Sequence, residues 1–258
     1  MKKVELMRFA PLGYACAEAI NTLCTNLTFT GSNVKRIMVT SCHASEGKSM
    51  ISMNIMRTMA GLGKRVALLD MDLRRSRLRA DYGMAFSDSK PQGITHYLSG
   101  QAALEDIVYS TPISNAFILP VTKTVSNSLS LLNSEKTEEL IRSLGEAFDY
   151  VIIDVSPVGA LIDAAQIARY CDGTLLVVNY NEVRKKELID ARNQLDQTGC
   201  PILGTVINEA RFDSYLNRKY YYKSYYYSHY DNYYGKDEKG SADPGKPTAP
   251  GKGASAGK

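Results

Sequence analysis

The sequence has little that would direct the chain to a membrane, an oxidising compartment or a nucleic acid. No apolar run approaches the roughly eighteen residues of a membrane-spanning helix, and the N-terminal residues lack a continuous apolar core, so we expect neither a span nor a signal peptide. The five cysteines are scattered and form no CxxC pair, which indicates reduced thiols in a cytoplasmic protein. A net charge of +4 is too small to predict a nucleic-acid partner.

Short apolar runs alternate with longer helix-like segments along most of the chain. The runs are apolar on both faces, as expected for parallel strands that helices cover on two sides. Strands are predicted at 36–40, 66–70, 117–121, 150–154, 174–179 and 202–208. Helices are predicted at 16–28, 48–62, 135–147, 160–170 and 183–197. We therefore predict an α/β fold with a mostly parallel central sheet and helices on both faces.

A loop typical of phosphate binding follows the first of these strands and opens a helix. It reads CHASEGKS over residues 42–49, which fits G-x-x-x-x-G-K-[ST] except that cysteine replaces the first glycine. Backbone N–H groups would face the phosphates, Lys48 would reach the β- and γ-phosphate oxygens, and Ser49 would ligate Mg²⁺. The predicted nucleotide contacts are Ala44, Ser45, Glu46, Gly47, Lys48, Ser49 and Met50. On this loop alone, a strand–loop–helix with a chance Gly-Lys-Ser is the alternative.

Two acidic motifs at the ends of later strands strengthen the nucleotide prediction. The motif LLDMD places Asp70 and Asp72 after one strand, and DYVIID places Asp154 after another. Because the carboxyl ends of parallel strands converge on the ligand crevice, these carboxylates can meet a Mg²⁺ ion on Ser49. We predict Ser49, Asp70 and Asp154 as metal ligands and Asp72 as the group that orients or deprotonates an incoming hydroxyl. The three motifs together predict a P-loop NTPase that uses ATP and Mg²⁺.

The C-terminal part of the sequence concentrates possible phosphate acceptors. Ten of the seventeen tyrosines lie within twenty positions: Tyr215, Tyr220, Tyr221, Tyr222, Tyr225, Tyr226, Tyr227, Tyr230, Tyr233 and Tyr234. A phenol is a hydroxyl nucleophile, so we predict that enzyme and substrate share one chain. An aromatic segment that stacks on RNA is the alternative, which the YYY blocks fit poorly. We divide the chain into a P-loop kinase domain at 1–210, a tyrosine segment at 211–234 and a disordered Gly/Pro/Lys tail at 235–258.

These motifs resemble the bacterial tyrosine kinases of capsule and exopolysaccharide synthesis, in the separate-chain cytoplasmic type of Gram-positive bacteria. The matching pieces are SEGKS, LLDMDLRR, DYVIID, the Asp163-Ala pair, CDGTLLVV, TVIN and the tyrosine segment. The resemblance implies an ATP-dependent protein-tyrosine kinase that autophosphorylates this segment, with Asn208 as an adenine contact. Its implied partners are an activating transmembrane polysaccharide co-polymerase adaptor that recruits it to the inner face of the membrane, a phosphotyrosine phosphatase and further copies of itself. Lys48, Asp70, Asp72 and Asp154 would be the catalytic residues.

Several positions depart from the pattern of that family. Residues 44–45 replace a Pro-Gly pair, and serine adopts positive φ less freely than glycine. The oligomerisation motif E-x-x-R-x-x-R reads Glu18, Asn21 and Cys24, a spacing that we expect to share one helix face, so ring assembly should be weakened. A catalytically weak ATP-binding regulator of polysaccharide assembly is therefore one alternative. A positioning-type P-loop ATPase is another, although His43 stands where those ATPases carry a signature lysine.

Overall fold

The structure, a computed structural model, describes residues 2–159, 162–180 and 182–210, so the predicted tyrosine segment and tail lie outside the described residues. Its strands are β1 (Lys2–Leu6), β2 (Arg36–Ser41), β3 (Val66–Asp70), β4 (Met84–Phe86), β5 (Tyr109–Ser110), β6 (Ala116–Leu119), β7 (Tyr150–Asp154), β8 (Gly173–Asn179) and β9 (Ile202–Asn208). Its helices are α1 (Tyr14–Thr28), α2 (Lys48–Gly61), α3 (Leu78–Asp81), α4 (Ile94–Leu98), α5 (Leu129–Leu132), α6 (Glu135–Ala147), α7 (Asp163–Ala168) and α8 (Lys185–Asp196). A short 3₁₀ helix covers Leu104–Asp106.

The strands form one mixed sheet in the order β4-β1-β5-β6-β3-β7-β2-β8-β9. The six strands from β6 to β9 in this order run parallel to one another, as the sequence predicted. At the other edge, β1 pairs antiparallel with β4 and parallel with β5, and β5 pairs antiparallel with β6. The predicted α/β fold with a mostly parallel sheet is confirmed.

The central strands are buried on both faces because helices cover each side of the sheet. In β3, Leu69 belongs to one hydrophobic cluster and Leu68 to the other, as alternate side chains of a strand must. Leu140 of α6 and Leu195 of α8 join the first cluster, whereas Ile20 of α1 and several residues of α2 join the second. This double burial explains why the sequence runs were apolar without alternation.

Two expectations need correction. The helix predicted at 160–170 spans only Asp163–Ala168, and residues 160 and 161 lie outside the described residues. Cys24 does not share the exposed face of α1, since it is 0% exposed and its Sγ lies 4.0 Å from the Ile55 carbonyl oxygen. Asn21 is exposed and donates to Glu18 Oε1 at 3.3 Å. The expectation was wrong because six residues turn a helix by about 600°, which places a side chain about 120° from its starting face.

No helix in the described part of the chain is long and apolar enough to cross a membrane.

Candidate active site

The pairing of the central strands brings the predicted carboxylates to one edge of the sheet. Asp70 at the end of β3 is directly opposite Asp154 at the end of β7. Asp154 is also opposite Val39 in β2, the strand that runs into the phosphate-binding loop. The three motifs therefore meet at the carboxyl ends of adjacent parallel strands, where ligands of open α/β sheets bind.

The phosphate-binding loop contains two residues in the left-handed region of backbone conformation. Gly47 has a φ of 87° and immediately precedes the first residue of α2. A Cβ built on Gly47 would lie 2.1 Å from Asn208 Nδ2, so both the backbone and the neighbouring side chain require glycine here. Ser45 has a φ of 67°, a conformation that non-glycine residues seldom adopt. Serine thus stands where the backbone favours glycine.

The ends of β8 and β9 hold this loop through Glu46. The Glu46 carboxylate is buried and accepts hydrogen bonds from the backbone N–H of His43 at 2.7 Å and of Asn179 at 3.3 Å. The Asn208 amide donates to the Glu46 carbonyl oxygen at 3.1 Å. Sequence reasoning named Glu46 as a nucleotide contact but missed its side-chain role and missed Asn179. The signal available was the position of Asn179 at the end of a predicted strand.

The cation and hydroxyl of the Gly-Lys-Ser motif each face a carboxylate from another strand. Ser49 Oγ donates to Asp154 Oδ2 at 2.5 Å. Lys48 Nζ lies 3.8 Å from Asp72 Oδ2, and both side chains are nearly buried, with 12% and 11% of their surfaces exposed. Asp72 Oδ1 accepts the backbone N–H of Arg75 at 3.1 Å, which orients the carboxylate toward Lys48. The arrangement can hold a phosphoryl group beside a lysine and a carboxylate base.

Asp70 and Asp154 are two buried acids placed side by side. Burial, together with the charge of Asp154, raises the pKa of Asp70 to about 8. Burial likewise raises the pKa of Asp154 to about 6, although Lys48 and the Ser49 hydrogen bond lower it. Asp70 accepts hydrogen bonds from Ser76 Oγ and from the backbone of residues 72 and 121. A pair of buried carboxylates is unfavourable unless a cation or a proton offsets the charge.

One oxygen of Asp154 is available to a cation. Asp154 Oδ1 is buried and has no hydrogen-bond partner within the described residues, whereas Oδ2 of the same carboxylate accepts from Ser49. No group of three or more His, Cys, Asp or Glu side chains among the described residues is placed to hold a metal ion. Mg²⁺ does not require such a group, since it often binds one or two carboxylates and takes its other ligands from water and phosphate oxygens. Ser49 and Asp154 therefore fit a Mg²⁺ site better than Asp70, which already has three donors.

Arg74 and Met50 lie apart from this cluster of polar groups. Arg74 Nε lies 3.0 Å from the buried Asp163 Oδ2, which also accepts from Ser128 Oγ at 2.6 Å. Asp163, which carries part of the family resemblance, thus anchors the segment after β3 to α7. Met50 is partly buried and packs against the hydrophobic cluster on the α2 side of the sheet. Ala44 is exposed at the start of the loop.

A parallel sheet with a Gly-Lys-Ser loop and carboxylates on the two adjacent strand ends defines a P-loop NTPase. Comparison with known proteins agrees, because the model of the family described as AAA domain matches residues 34–193. The tyrosine-protein kinase CpsD of Streptococcus pneumoniae is 38% identical over 208 residues, which cover 81% of this chain and 88% of that kinase.

Solved structures place the same fold in two groups of protein. The kinase domain of the Escherichia coli tyrosine kinase ETK aligns with a TM-score of 0.69 and 25% identity, covering 77% of this chain and 78% of that domain. The septum site-determining protein MinD of Pyrococcus horikoshii, solved with Mg-ADP, aligns with a TM-score of 0.56 and 25% identity, covering 67% of this chain and 70% of that one. The chain belongs to the bacterial tyrosine-protein kinase family, in agreement with the resemblance seen in its motifs.

Proposed function

We propose that this protein is an ATP-dependent protein-tyrosine kinase of capsular or exopolysaccharide synthesis that phosphorylates the tyrosine segment of neighbouring copies of itself. Membership of the family supports the kinase activity. The observation that carries the assignment to these residues is that three separate motifs contribute to one cluster: Lys48 beside Asp72, and Ser49 beside Asp154.

In this proposal each residue of the cluster has a separate role. Lys48 neutralises charge on the phosphoryl group that moves from ATP to the phenol oxygen. Asp72 accepts the phenol proton as the new oxygen–phosphorus bond forms, and ADP leaves with the electron pair of the broken bond. Phosphoryl transfer depends mainly on positioning and electrostatic stabilisation, so a small set of oriented groups is sufficient.

Ser49 and Asp154 are the proposed protein ligands of Mg²⁺, and Asp70 supports them from the adjacent strand. The ion would supply positive charge beside the β- and γ-phosphates. The unpartnered Asp154 Oδ1 and the adjoining Ser49 hydroxyl provide hard oxygen ligands of the kind that Mg²⁺ prefers. Asn208, whose amide lies against Gly47, is the proposed contact on the adenine side.

The remaining parts of the proposal concern partners and location. We infer that the protein is cytoplasmic and that a transmembrane co-polymerase adaptor activates it and brings it to the inner face of the membrane. A phosphotyrosine phosphatase then removes the phosphate groups. The family resemblance supports these partners. Exposed Asn21, where the family carries an arginine, supports a self-contact through α1 that is weaker than in relatives with the full motif.

Replacement of Lys48 by methionine tests the activity. Purified wild-type protein incubated with ATP and Mg²⁺, with and without the cytoplasmic segment of an adaptor, should gain phosphotyrosine in residues 215–234 by mass spectrometry. The Lys48→Met protein should show at least about a hundredfold less, because the lysine acts on the transferring group. Lys64→Met is the matched control, since Lys64 is exposed beyond the other end of α2. Equal phosphotyrosine in Lys48→Met and wild type would contradict the assignment of the site.

The catalytically weak regulator is the second candidate, and Ser45 is the observation that favours it. A serine held at positive φ within the loop indicates that this loop is less well suited to phosphate approach than one with glycine there. A protein that binds ATP by calorimetry but forms no phosphotyrosine, even with the adaptor segment, would establish this second function.

A further inference from the structure

A cavity of about 630 Å³ that is wide open to solvent lies beside the active site, and three positively charged side chains line it. Its charged residues are Arg8, which follows β1, Arg79 in α3, and Lys123, which follows β6. No Asp or Glu among the residues that the structure describes lines it. Three cations that meet in one cavity repel one another, so a cavity of this kind favours an anionic ligand.

The three cations have no countercharge among the described residues. None of them forms an ion pair with a carboxylate of residues 2–159, 162–180 or 182–210. Arg8 Nη1 donates to the Ala80 carbonyl oxygen at 3.3 Å, and the Arg79 guanidinium lies 5.4 Å from the centroid of the Phe86 ring. These contacts orient both guanidinium groups, which are exposed to solvent and remain available to an anionic ligand. By contrast, nearby Arg77 pairs with Asp81 at 3.2 Å.

The remainder of the lining suits a phosphate carried on an aromatic ring. The Thr124 hydroxyl adds a hydrogen-bond donor to those of the cations, whereas the hydroxyls of Ser76 and Thr122 already contact Asp70 and His96. The apolar surface available to a ring comes from exposed Ala80, since Met84 and Val121 are only 6% and 5% exposed. Arginine can bind a phosphate through two parallel hydrogen bonds, and a phosphate offers three acceptor oxygens and a charge of about −1.5 to −2, more than a single carboxylate carries.

Two residues that line the cavity also donate hydrogen bonds to the carboxylate of Asp70. Ser76 donates its hydroxyl hydrogen to Asp70 Oδ2, and the backbone N–H of Val121 donates to the same oxygen at 3.3 Å. A peptide bound in this cavity would therefore lie close to Asp72, whose backbone N–H donates to Asp70 at 3.3 Å. An extended chain advances roughly 3.3–3.6 Å per residue, so two residues a few positions apart could occupy the cavity and the active site at the same time.

The tyrosine segment matches this cavity only after phosphorylation. Residues 211–234 contain four Lys or Arg and two Asp, which give a net charge of +2 that the cations would repel. Each phosphotyrosine adds about −1.5 to −2 and three acceptor oxygens. The blocks at 220–222 and 225–227 place further tyrosines within five residues of any one of them.

We propose that the cavity around Arg8, Arg79 and Lys123 binds a phosphotyrosine in the tyrosine segment of a second copy of the chain. The bound phosphotyrosine presents a neighbouring tyrosine to the active site, so that one phosphorylation promotes the next. This role rests on the proposed function, because the kinase supplies the first phosphate. It gives the clustered tyrosines a physical purpose, since isolated tyrosines could not use the two sites at once.

Binding is tested in the full chain carrying Lys48→Met, which removes catalysis from the measurement. Calorimetry compares three synthetic peptides of residues 218–230: unmodified, phosphorylated on Tyr222, and with Tyr222→Glu. The phosphorylated peptide should bind at least about tenfold more tightly than either of the others, because charge-assisted hydrogen bonds to phosphate are strong. The double change Arg79→Gln with Lys123→Gln should abolish this difference. The double change Arg142→Gln with Arg192→Gln, made at exposed residues of α6 and α8, controls for the loss of two positive charges.

Competition and kinetics complete the test. Phenyl phosphate should displace the phosphorylated peptide at lower concentration than inorganic phosphate, and equal displacement would show a general anion cavity and overturn the proposal. In the active protein, kcat/KM for further tyrosines should be higher on the phosphorylated peptide, and the double variant should bring the ratio to about one. Failure of the wild type to phosphorylate either peptide would count against the proposed function, whereas the binding result stands independently. Equal affinity for the three peptides, or binding that survives the double change, would overturn the docking site.

Discussion

Ser45 is the residue of the phosphate-binding loop whose replacement by glycine should stabilise the protein. Its φ of 67° lies in the left-handed region, where a Cβ costs about 1–2 kcal/mol. Glycine avoids that cost but loses more backbone entropy on folding, about 0.5–1 kcal/mol relative to alanine. The side chain is exposed, and its hydroxyl makes no hydrogen bond within the described residues, so its removal sacrifices little else. The balance predicts that Ser45→Gly raises the free energy of unfolding by about 0.5–1 kcal/mol.

Urea denaturation of the nucleotide-free protein, followed by circular dichroism, measures this difference. In thermal denaturation of the same protein, Ser45→Gly should raise the midpoint by about 1–4 °C for a domain of this size. The matched control is Ala44→Gly, because Ala44 is the preceding residue in the same loop, is exposed, and does not have a positive φ. That change should instead destabilise the protein by about 0.5–1 kcal/mol. Equal losses for both variants would refute the argument that the backbone at Ser45 favours glycine.

Two further replacements test other parts of the fold. Cys24→Arg should lower the free energy of unfolding by about 3 kcal/mol or more, because it forces a guanidinium into a site that is 0% exposed. Asn21→Arg on the exposed face should change the free energy of unfolding by less than about 0.5 kcal/mol. Chemical denaturation of both variants measures the difference, and an unchanged midpoint for Cys24→Arg would contradict the burial of Cys24. Asn208→Ala should weaken binding of ATP with Mg²⁺ about fivefold by calorimetry, because a hydrogen bond to the phosphate-binding loop is lost. Asn193→Ala, at an exposed position of α8, should leave the affinity unchanged. Equal affinity of the Asn208→Ala variant and the wild type would remove Asn208 from the site.

The central sheet could be predicted because its strands carry an unmistakable pattern. Residues 150–154 and 66–70 are apolar on both faces and end in aspartate, so both the parallel sheet and the meeting of its motifs followed from sequence. Strand β1, which lies between β4 and β5, could not be found in this way. Its sequence KKVEL has three charged residues among five, and only Val4 is buried, so it shows no apolar run.

Parts of the site that depend on distant contacts were also beyond sequence reasoning. The Glu46 side chain is buried because it meets the backbone of Asn179, which is 133 positions away. The cavity of Arg8, Arg79 and Lys123 joins three separate stretches of chain, and none of the three residues belongs to a motif. Cys24 shows the opposite case, since a family motif indicated an exposed position and the packing of α1 against α2 buries it.

The contact between Asn208 and the phosphate-binding loop has a practical consequence for any shortened form of the protein. Strand β9 ends at Asn208, only a few residues before the tyrosine segment begins at residue 211. A shortened protein that lacks the phosphate acceptors must therefore keep all residues up to Ala210. A chain that ends three residues earlier has lost Asn208, whose amide lies beside Gly47 and donates to the Glu46 carbonyl oxygen. A deletion that reaches β9 would lose activity toward every added peptide and would be mistaken for evidence that the tyrosines themselves are needed for catalysis.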